Sequence, residues 1–199
     1  MALVTDKSLF LHIPKTGGQF VRQAFKSCGI KYTEIAGEHD HFPYLLKFKD
    51  KQFWQNKFIF AFVRHPLSWY QSRWAFRVKY GWKVQHELDF NCFSNNFETF
   101  CRNSAKYRPN GWVSWEYKIY IEQCPKPCDF VGKTENLIND TIMAFRLAGE
   151  KFSEKTIRNI GIINDSSMDG KSSSYWAKYT PNLESLMASV ESDAISKYY

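Results

Sequence analysis

The sequence predicts an α/β fold: a single domain over residues 1–199, with a mostly parallel sheet flanked by helices. Three observations predict it. FIFAFV (Phe58–Val63) is apolar at every position, as a strand covered on both faces has to be. Short apolar runs of this kind alternate with segments whose apolar residues recur every three or four positions, the helical spacing. Strands separated by helices pair in parallel, because a parallel pair needs a crossover long enough to hold a helix.

The elements follow in order. Residues 9–13 read as a short buried strand. Residues 19–28 carry apolar groups at Phe20, Val21, Ala24 and Phe25 and predict a helix, with Gly29 as its stop. Residues 30–35 fit a second strand, and 42–48 are ambiguous. After FIFAFV, Pro66 suits the first turn of a helix running to about residue 79. Residues 80–112 read as irregular around one helix at 95–102, and 113–122 as helical. DFVG (129–132) is a short strand. Thr134 caps a helix that ends at Gly149, and Ser153 opens another. Residues 165–174 are a polar Asp/Ser/Gly loop. Thr180 and Pro181 are a cap and a first-turn proline for the last helix.

Composition narrows the partners. The formal net charge is +7, and 7 Trp, 11 Tyr and 17 Phe exclude a disordered chain. A basic surface favours an anionic ligand. Asp6 and Lys7 interrupt the N-terminal apolar residues, so these do not read as a signal peptide. No run approaches the roughly 18 apolar residues of a membrane span. The expectation is a cytoplasmic protein with no membrane or nucleic-acid partner. Cys28, Cys92, Cys101, Cys124 and Cys128 are an odd set, which suggests reduced thiols. CPKPC (124–128) lacks a second Cys or His pair, so no metal site is expected.

FLHIPKTGGQF (10–20) carries the functional signal. Strand, glycine-containing loop and helix make an anion cradle: glycines let backbone N–H groups approach an oxyanion, and the helix N-terminus adds partial positive charge. Lys15 adds a full charge. A tight turn with a surface lysine is the plainer alternative. The loop is not a Walker A motif, since the lysine precedes the glycines. DGKSSS (169–174) contains Gly-Lys-Ser, but Asp165 stands where that motif needs its first glycine, and no apolar strand leads directly into it. In FAFVRHPLSWYQSRW (60–74), Arg64 ends the strongest strand and Ser72 follows two helical turns into the next helix. Together they offer a second anion a planar fork and a hydroxyl.

HIPKTGG, FVRHP with Ser72, DFVGKTENL (129–137) and the closing AKYTPNLESL and KYY resemble, in order, motifs of the sulfotransferases that use 3′-phosphoadenosine-5′-phosphosulfate (PAPS), closest to the heparan 2-O-sulfotransferase-like carbohydrate branch. The resemblance covers most of the chain, its aromatic middle excepted. It implies a P-loop-like sulfotransferase fold and sulfuryl transfer from PAPS to an acceptor hydroxyl, a glycan being the expected acceptor and PAP the product, without a metal. It implies that Lys15, Thr16, Gly17, Gly18 and Gln19 hold the 5′-phosphosulfate, with Lys15 stabilising the leaving oxygen. Arg64 and Ser72 would hold the 3′-phosphate, and Lys171 and Ser172 would close a late loop over the nucleotide. That loop reads equally as plain surface. The chain departs from the family at Gln19 and Phe20, where Ser or Thr is usual, and at His65, where Asp or Asn is common.

In-line transfer needs a base for the acceptor hydroxyl. GEHDHFP (37–43) supplies His39, which the resemblance favours, and His41 in reserve. His12 reads as a packing residue beside the cradle; Glu116 and Glu135 are further carboxylate candidates. Trp69, Trp74, Trp82, Trp112 and Trp115 offer faces for a sugar ring, with Arg77, Lys79 and Lys83 for an anionic acceptor; core packing is the competing explanation. The alternatives to a sulfotransferase are a P-loop nucleotide kinase or hydrolase and a non-catalytic nucleic-acid-binding module.

Overall fold

The chain's apolar runs form five strands of one mixed sheet: β1 (Ala2–Val4), β2 (Ser8–Leu11), β3 (Thr33–Ile35), β4 (Phe58–Val63) and β5 (Phe130–Lys133), in the spatial order β3-β1-β2-β4-β5. The structure, a computed structural model, describes residues 2–35, 50–161, 163 and 176–199. Its described residues group into two units. One comprises the chain up to Arg64 with Tyr117–Ile163; the other comprises His65–Glu116 with the chain from Asn164 onward.

The first unit holds the sheet. β2, β4 and β5 pair in parallel, as predicted, while β1 pairs antiparallel with both β2 and β3. The expected mostly parallel sheet is therefore mixed. The physical reason lies in residues 5–8, which make a tight turn that only an antiparallel pair can use. The Thr5 N–H donates to the Ser8 carbonyl (2.9 Å), and the Ser8 N–H donates to Thr5 Oγ1 (2.8 Å). The Thr5 and Ser8 hydroxyls both donate to Glu150 Oε1, at 2.5 and 2.7 Å. The Lys57 ammonium donates to the Thr5 and Asp6 carbonyls. Asp6 and Lys7, which break the apolar pattern, are the turn itself.

Helix α1 (Gly18–Ser27) buries Phe20, Val21, Ala24 and Phe25, the face its spacing predicts. That face joins one core cluster with Leu3, Phe10, Phe60, Phe62 and residues of a helix described below, where Phe145 stacks on Phe25 at 4.6 Å. In β4, Phe60 and Phe62 belong to this cluster. Ile59, Ala61 and Val63, on the opposite face, are also buried, so the reading of a strand covered on both sides holds.

A short helix α2 (Lys51–Gln55), capped by Asp50, precedes β4. After β4 the second unit is helical: α3 (Pro66–Tyr80), α4 (Glu87–Cys92), α5 (Phe97–Tyr107) and α6 (Trp112–Tyr117), whose last residue returns to the first unit and continues as a π-helical turn, Lys118–Glu122. β5, a single turn Thr134–Asn136, α7 (Leu137–Leu147) and α8 (Glu154–Arg158) complete the first unit. The second ends in α9 (Pro181–Val190) and α10 (Ser192–Tyr198). Ser153 and Thr180 cap α8 and α9 through their side-chain oxygens, as predicted. The region read as irregular contains α4, which the sequence did not suggest. Its anchor is a tertiary ion pair: Asp89 accepts from Arg73 (2.7 Å), pairs with Arg77 (2.5 Å) and accepts the Lys83 N–H.

No helix among the described residues is long and apolar enough to cross a membrane. The five cysteines are free of disulfides, in line with the expected reduced thiols.

Candidate functional site

The loop between β2 and α1 is built around positive φ angles and two glycines without spare room. Among the described residues Lys15 is the one non-glycine residue with positive φ (65°), which costs an L-residue about 1–2 kcal/mol. Gly17 (φ 90°) is the N-cap of α1, and a Cβ there would meet Leu137 at 2.7 Å. A Cβ on Gly18 would lie 1.9 Å from the His12 ring. His12 in turn stacks on Phe10 at 5.9 Å. Burial, then the charges of the N-terminal amine and Arg22, push its pKa down to about 3. His12 is thus a neutral packing ring at ordinary pH, the role the sequence suggested.

α1 has neither a side-chain cap nor an acidic residue in its first turn. The positive end of its dipole therefore faces the loop without a local carboxylate to offset it. Thr16 is fully buried and donates its hydroxyl to the Ile13 carbonyl (2.9 Å), so that hydroxyl braces the turn. Phe20 is core. Lys15 and Gln19 are half-buried side chains of this loop and helix start.

Arg64 follows the last residue of β4, beside β2 in the parallel part of the sheet. Open α/β sheets bind ligands at these carboxyl ends of strands. Tyr117 clamps the Arg64 backbone: the Arg64 N–H donates to Tyr117 Oη (2.7 Å), and the Tyr117 hydroxyl donates to the Arg64 carbonyl (2.6 Å). Arg64 Nη1 stands 3.5 Å from the Lys15 carbonyl oxygen, so the two cationic residues belong to one locality. Tyr117 carried no sequence signal, lying 53 residues away in a segment read only as helical.

DFVGKTENL ties β5 and the turn after it to β4. Asp129 Oδ2 accepts the Ile59 N–H (2.8 Å), and the Thr134 hydroxyl donates to the Val63 carbonyl (3.0 Å). Gly132 leaves room for Phe62, 2.6 Å from where a Cβ would sit. Leu137 packs on Gly17.

Lys15, Thr16, Gly17, Gly18, Gln19 and Arg64 are thus brought together in the first unit. Ser72 belongs to the second unit, where it is 3% exposed on α3. His39, His41, Lys171 and Ser172 lie outside the described residues.

In the second unit several acceptor candidates are packing residues, the competing explanation of the sequence. Trp69, Trp74 and Trp112 are core residues, and Trp115 packs with Trp112 against the Arg108 guanidinium, 4.1 and 4.8 Å from their respective ring centres. Arg77 is buried against Asp89. Burial, then the charge of Arg73, lower its pKa to about 10, still cationic at neutral pH. These groups pack the unit.

Glu116 is buried too. Its Oε1 accepts from Trp112 Nε1 (3.0 Å), while Oε2 has no hydrogen-bond partner among the described residues. Burial first pushes its pKa up to about 7, against the Trp112 hydrogen bond and the Arg73 charge. The folded chain therefore keeps a proton that the unfolded chain releases at the ordinary value of 4.5. The stability this supplies is complete below that value and is lost as pH rises to about 7. Glu116→Gln is expected to abolish this loss, narrowing the decline in unfolding free energy across that window by roughly 3 kcal/mol relative to wild type. Urea titrations at a series of pH values check this; parallel curves for the two proteins would contradict it.

Comparison with protein families, curated proteins and solved structures gives no match.

Proposed function

We propose that the chain is a PAPS-dependent sulfotransferase that transfers a sulfuryl group to an acceptor hydroxyl, with a glycan as acceptor. The observation that carries the reading is the meeting of Lys15, held at positive φ where β2 turns into α1, with Arg64 at the end of the neighbouring parallel strand. Two cations and a helix N-terminus lacking an acidic or capping side chain suit a ligand bearing two anionic groups.

PAPS supplies an activated sulfuryl group, whose transfer breaks a sulfur–oxygen bond in line and leaves charge on a phosphate oxygen. The Lys15 ammonium neutralises that charge. The N-terminal turn of α1 receives the 5′-phosphosulfate through backbone N–H groups, and the side chain of Gln19 flanks it. Thr16 acts on the ligand only through the backbone, because its hydroxyl holds the turn. The Arg64 fork grips the 3′-phosphate, its backbone fixed by Tyr117 so that little ordering remains for binding. His39 or His41 takes the acceptor proton.

Thermal unfolding with PAP, with ATP plus Mg²⁺ and with buffer alone tests the reading. PAP at about 100 times its dissociation constant should add roughly 2.7 kcal/mol of stability. Arg64→Ala should lose most of it. Stabilisation by ATP plus Mg²⁺ alone would move the protein to nucleotide kinase or hydrolase chemistry, and no response to PAP would remove the donor site.

A further inference from the structure

We infer that the second unit carries a peripheral docking surface for an anionic phospholipid membrane, formed by the end of α3, the 81–86 loop and α4. The side chains exposed there are unusual for a water-facing surface. Val84 is 73% exposed, Phe90 67%, Tyr80 59% and Phe93 54%, with Val78 beside them. Apolar groups this exposed and this close in the chain mark an interaction site.

The three segments that carry them are also joined in space. The Phe93 ring meets Trp82 edge-on at 5.2 Å, and the Lys83 N–H donates to Asp89 Oδ2, which joins the loop to α4. Asp89 also pairs with Arg73 and Arg77 of α3, so one buried carboxylate ties all three segments. The apolar groups thus project from a braced scaffold and need little reordering to bind.

Charge selects the partner. Residues 73–93, which span these segments, contain four Lys and Arg against two Asp and Glu, net +2. Of the acids, Asp89 is buried between two arginines, and Glu87 accepts from Arg108 and the Tyr107 hydroxyl. Lys79 and Lys83 are exposed next to Tyr80 and Val84, with the Lys79 ammonium 5.3 Å from the centre of the Tyr80 ring. Lysines flanking exposed Phe, Val and Tyr match the headgroup level of an anionic bilayer, where aliphatic and aromatic side chains enter and cations stay at the phosphates. A glycan instead asks for hydrogen-bonding groups around a ring face, and a single-stranded nucleic acid for aromatic faces along a basic groove, which the aliphatic Val78 and Val84 do not supply. Val78, Val84, Phe90 and Phe93 offer no polar side-chain atom. The sequence suggested no membrane partner because it has no span; a surface of this kind needs none.

Co-sedimentation with phosphatidylcholine vesicles, alone or with phosphatidylserine added, tests the inference. Partitioning is expected to be about 10-fold or more stronger on the anionic vesicles. Lys79→Gln with Lys83→Gln should erase that preference. Phe90→Ser with Phe93→Ser should lower partitioning about 10-fold or more. Val84→Ser, in the loop, should weaken binding in the same direction and guards against a folding defect, which circular dichroism reads for every variant. Equal partitioning by wild type and variants would overturn the inference, as would no sedimentation at all. Binding to a 20-nucleotide oligo-dT without vesicle binding would assign the surface to nucleic acid. A concentration-dependent dimer abolished by Phe90→Ser would assign it to a second copy of this chain.

Discussion

Under the proposed sulfotransferase function, Lys15→Ala is expected to slow sulfuryl transfer by about 10²–10³-fold, the cost of deleting one preorganised group aimed at developing charge. Stability should hardly change, because alanine meets the same backbone cost at φ 65° as lysine. Lys15→Gly separates the two effects. Glycine adopts that conformation readily, and its gain is partly offset by the greater freedom of the unfolded chain, so the variant should be about 1 kcal/mol more stable. It should be as slow as Lys15→Ala. Release of PAP from PAPS with a panel of glycan acceptors, paired with urea unfolding, measures both. A Lys15→Ala protein that turns over at the wild-type rate would remove Lys15 from the chemistry. A glycine variant both inactive and more stable would identify the strained backbone as tolerated for the sake of the side chain it presents.

Glu191→Ala is expected to destabilise the second unit by about 3–5 kcal/mol, the cost of leaving several buried hydrogen-bond donors without their acceptor. The Glu191 carboxylate has no solvent exposure and sits at the N-terminus of α6. It accepts the N–H groups of Val113 (3.0 Å) and Ser114 (2.8 Å), and the hydroxyls of Tyr70 and Ser114, each at 2.7 Å. The Trp112 N–H donates to Tyr70 Oη and the Ala194 N–H to Ser114 Oγ, so the network reaches from α3 through α6 to α10. Burial and the neighbouring carboxylate raise the Tyr70 pKa well above its ordinary value, which keeps the phenol a donor. Gly111 makes the space: it has φ 81°, and a Cβ there would lie 2.3 Å from Glu191 Oε2. Removing the carboxylate leaves four donors with no acceptor. Glu191→Gln should recover part of the loss, since the amide keeps one oxygen but turns NH₂ hydrogens toward N–H groups. Urea unfolding of the three proteins checks the order. A loss below about 1 kcal/mol for Glu191→Ala would mean that water takes over the network.

Neither Glu191 nor Tyr117 was legible beforehand. In the sequence, Glu191 is one acid in a helical stretch, and the predicted last helix runs on through it. In the structure α9 and α10 meet at Glu191, and its carboxylate serves another helix. Tyr117 likewise reads as one aromatic among many. Its function depends on lying 53 residues from the backbone it clamps.

Features set within a few neighbouring residues were readable. FIFAFV forms β4 because an all-apolar run leaves no face for water. α1 forms on its 3.6-residue spacing, α3 starts at Pro66, and Ser153 and Thr180 cap the helices they precede. The positions of Lys15 and Arg64 at strand ends follow from the same local patterns. Tertiary contacts decided the remainder. They turned β1 into an antiparallel edge, directed the Thr16 hydroxyl inward, set the His12 ring against Gly18 and placed Trp69, Trp74 and Trp112 in the core. A local pattern specifies whether a residue can be buried and in which element. Which atoms it meets there depends on segments tens of residues away, and those meetings fixed how the loop, the strand end and the buried carboxylates are held.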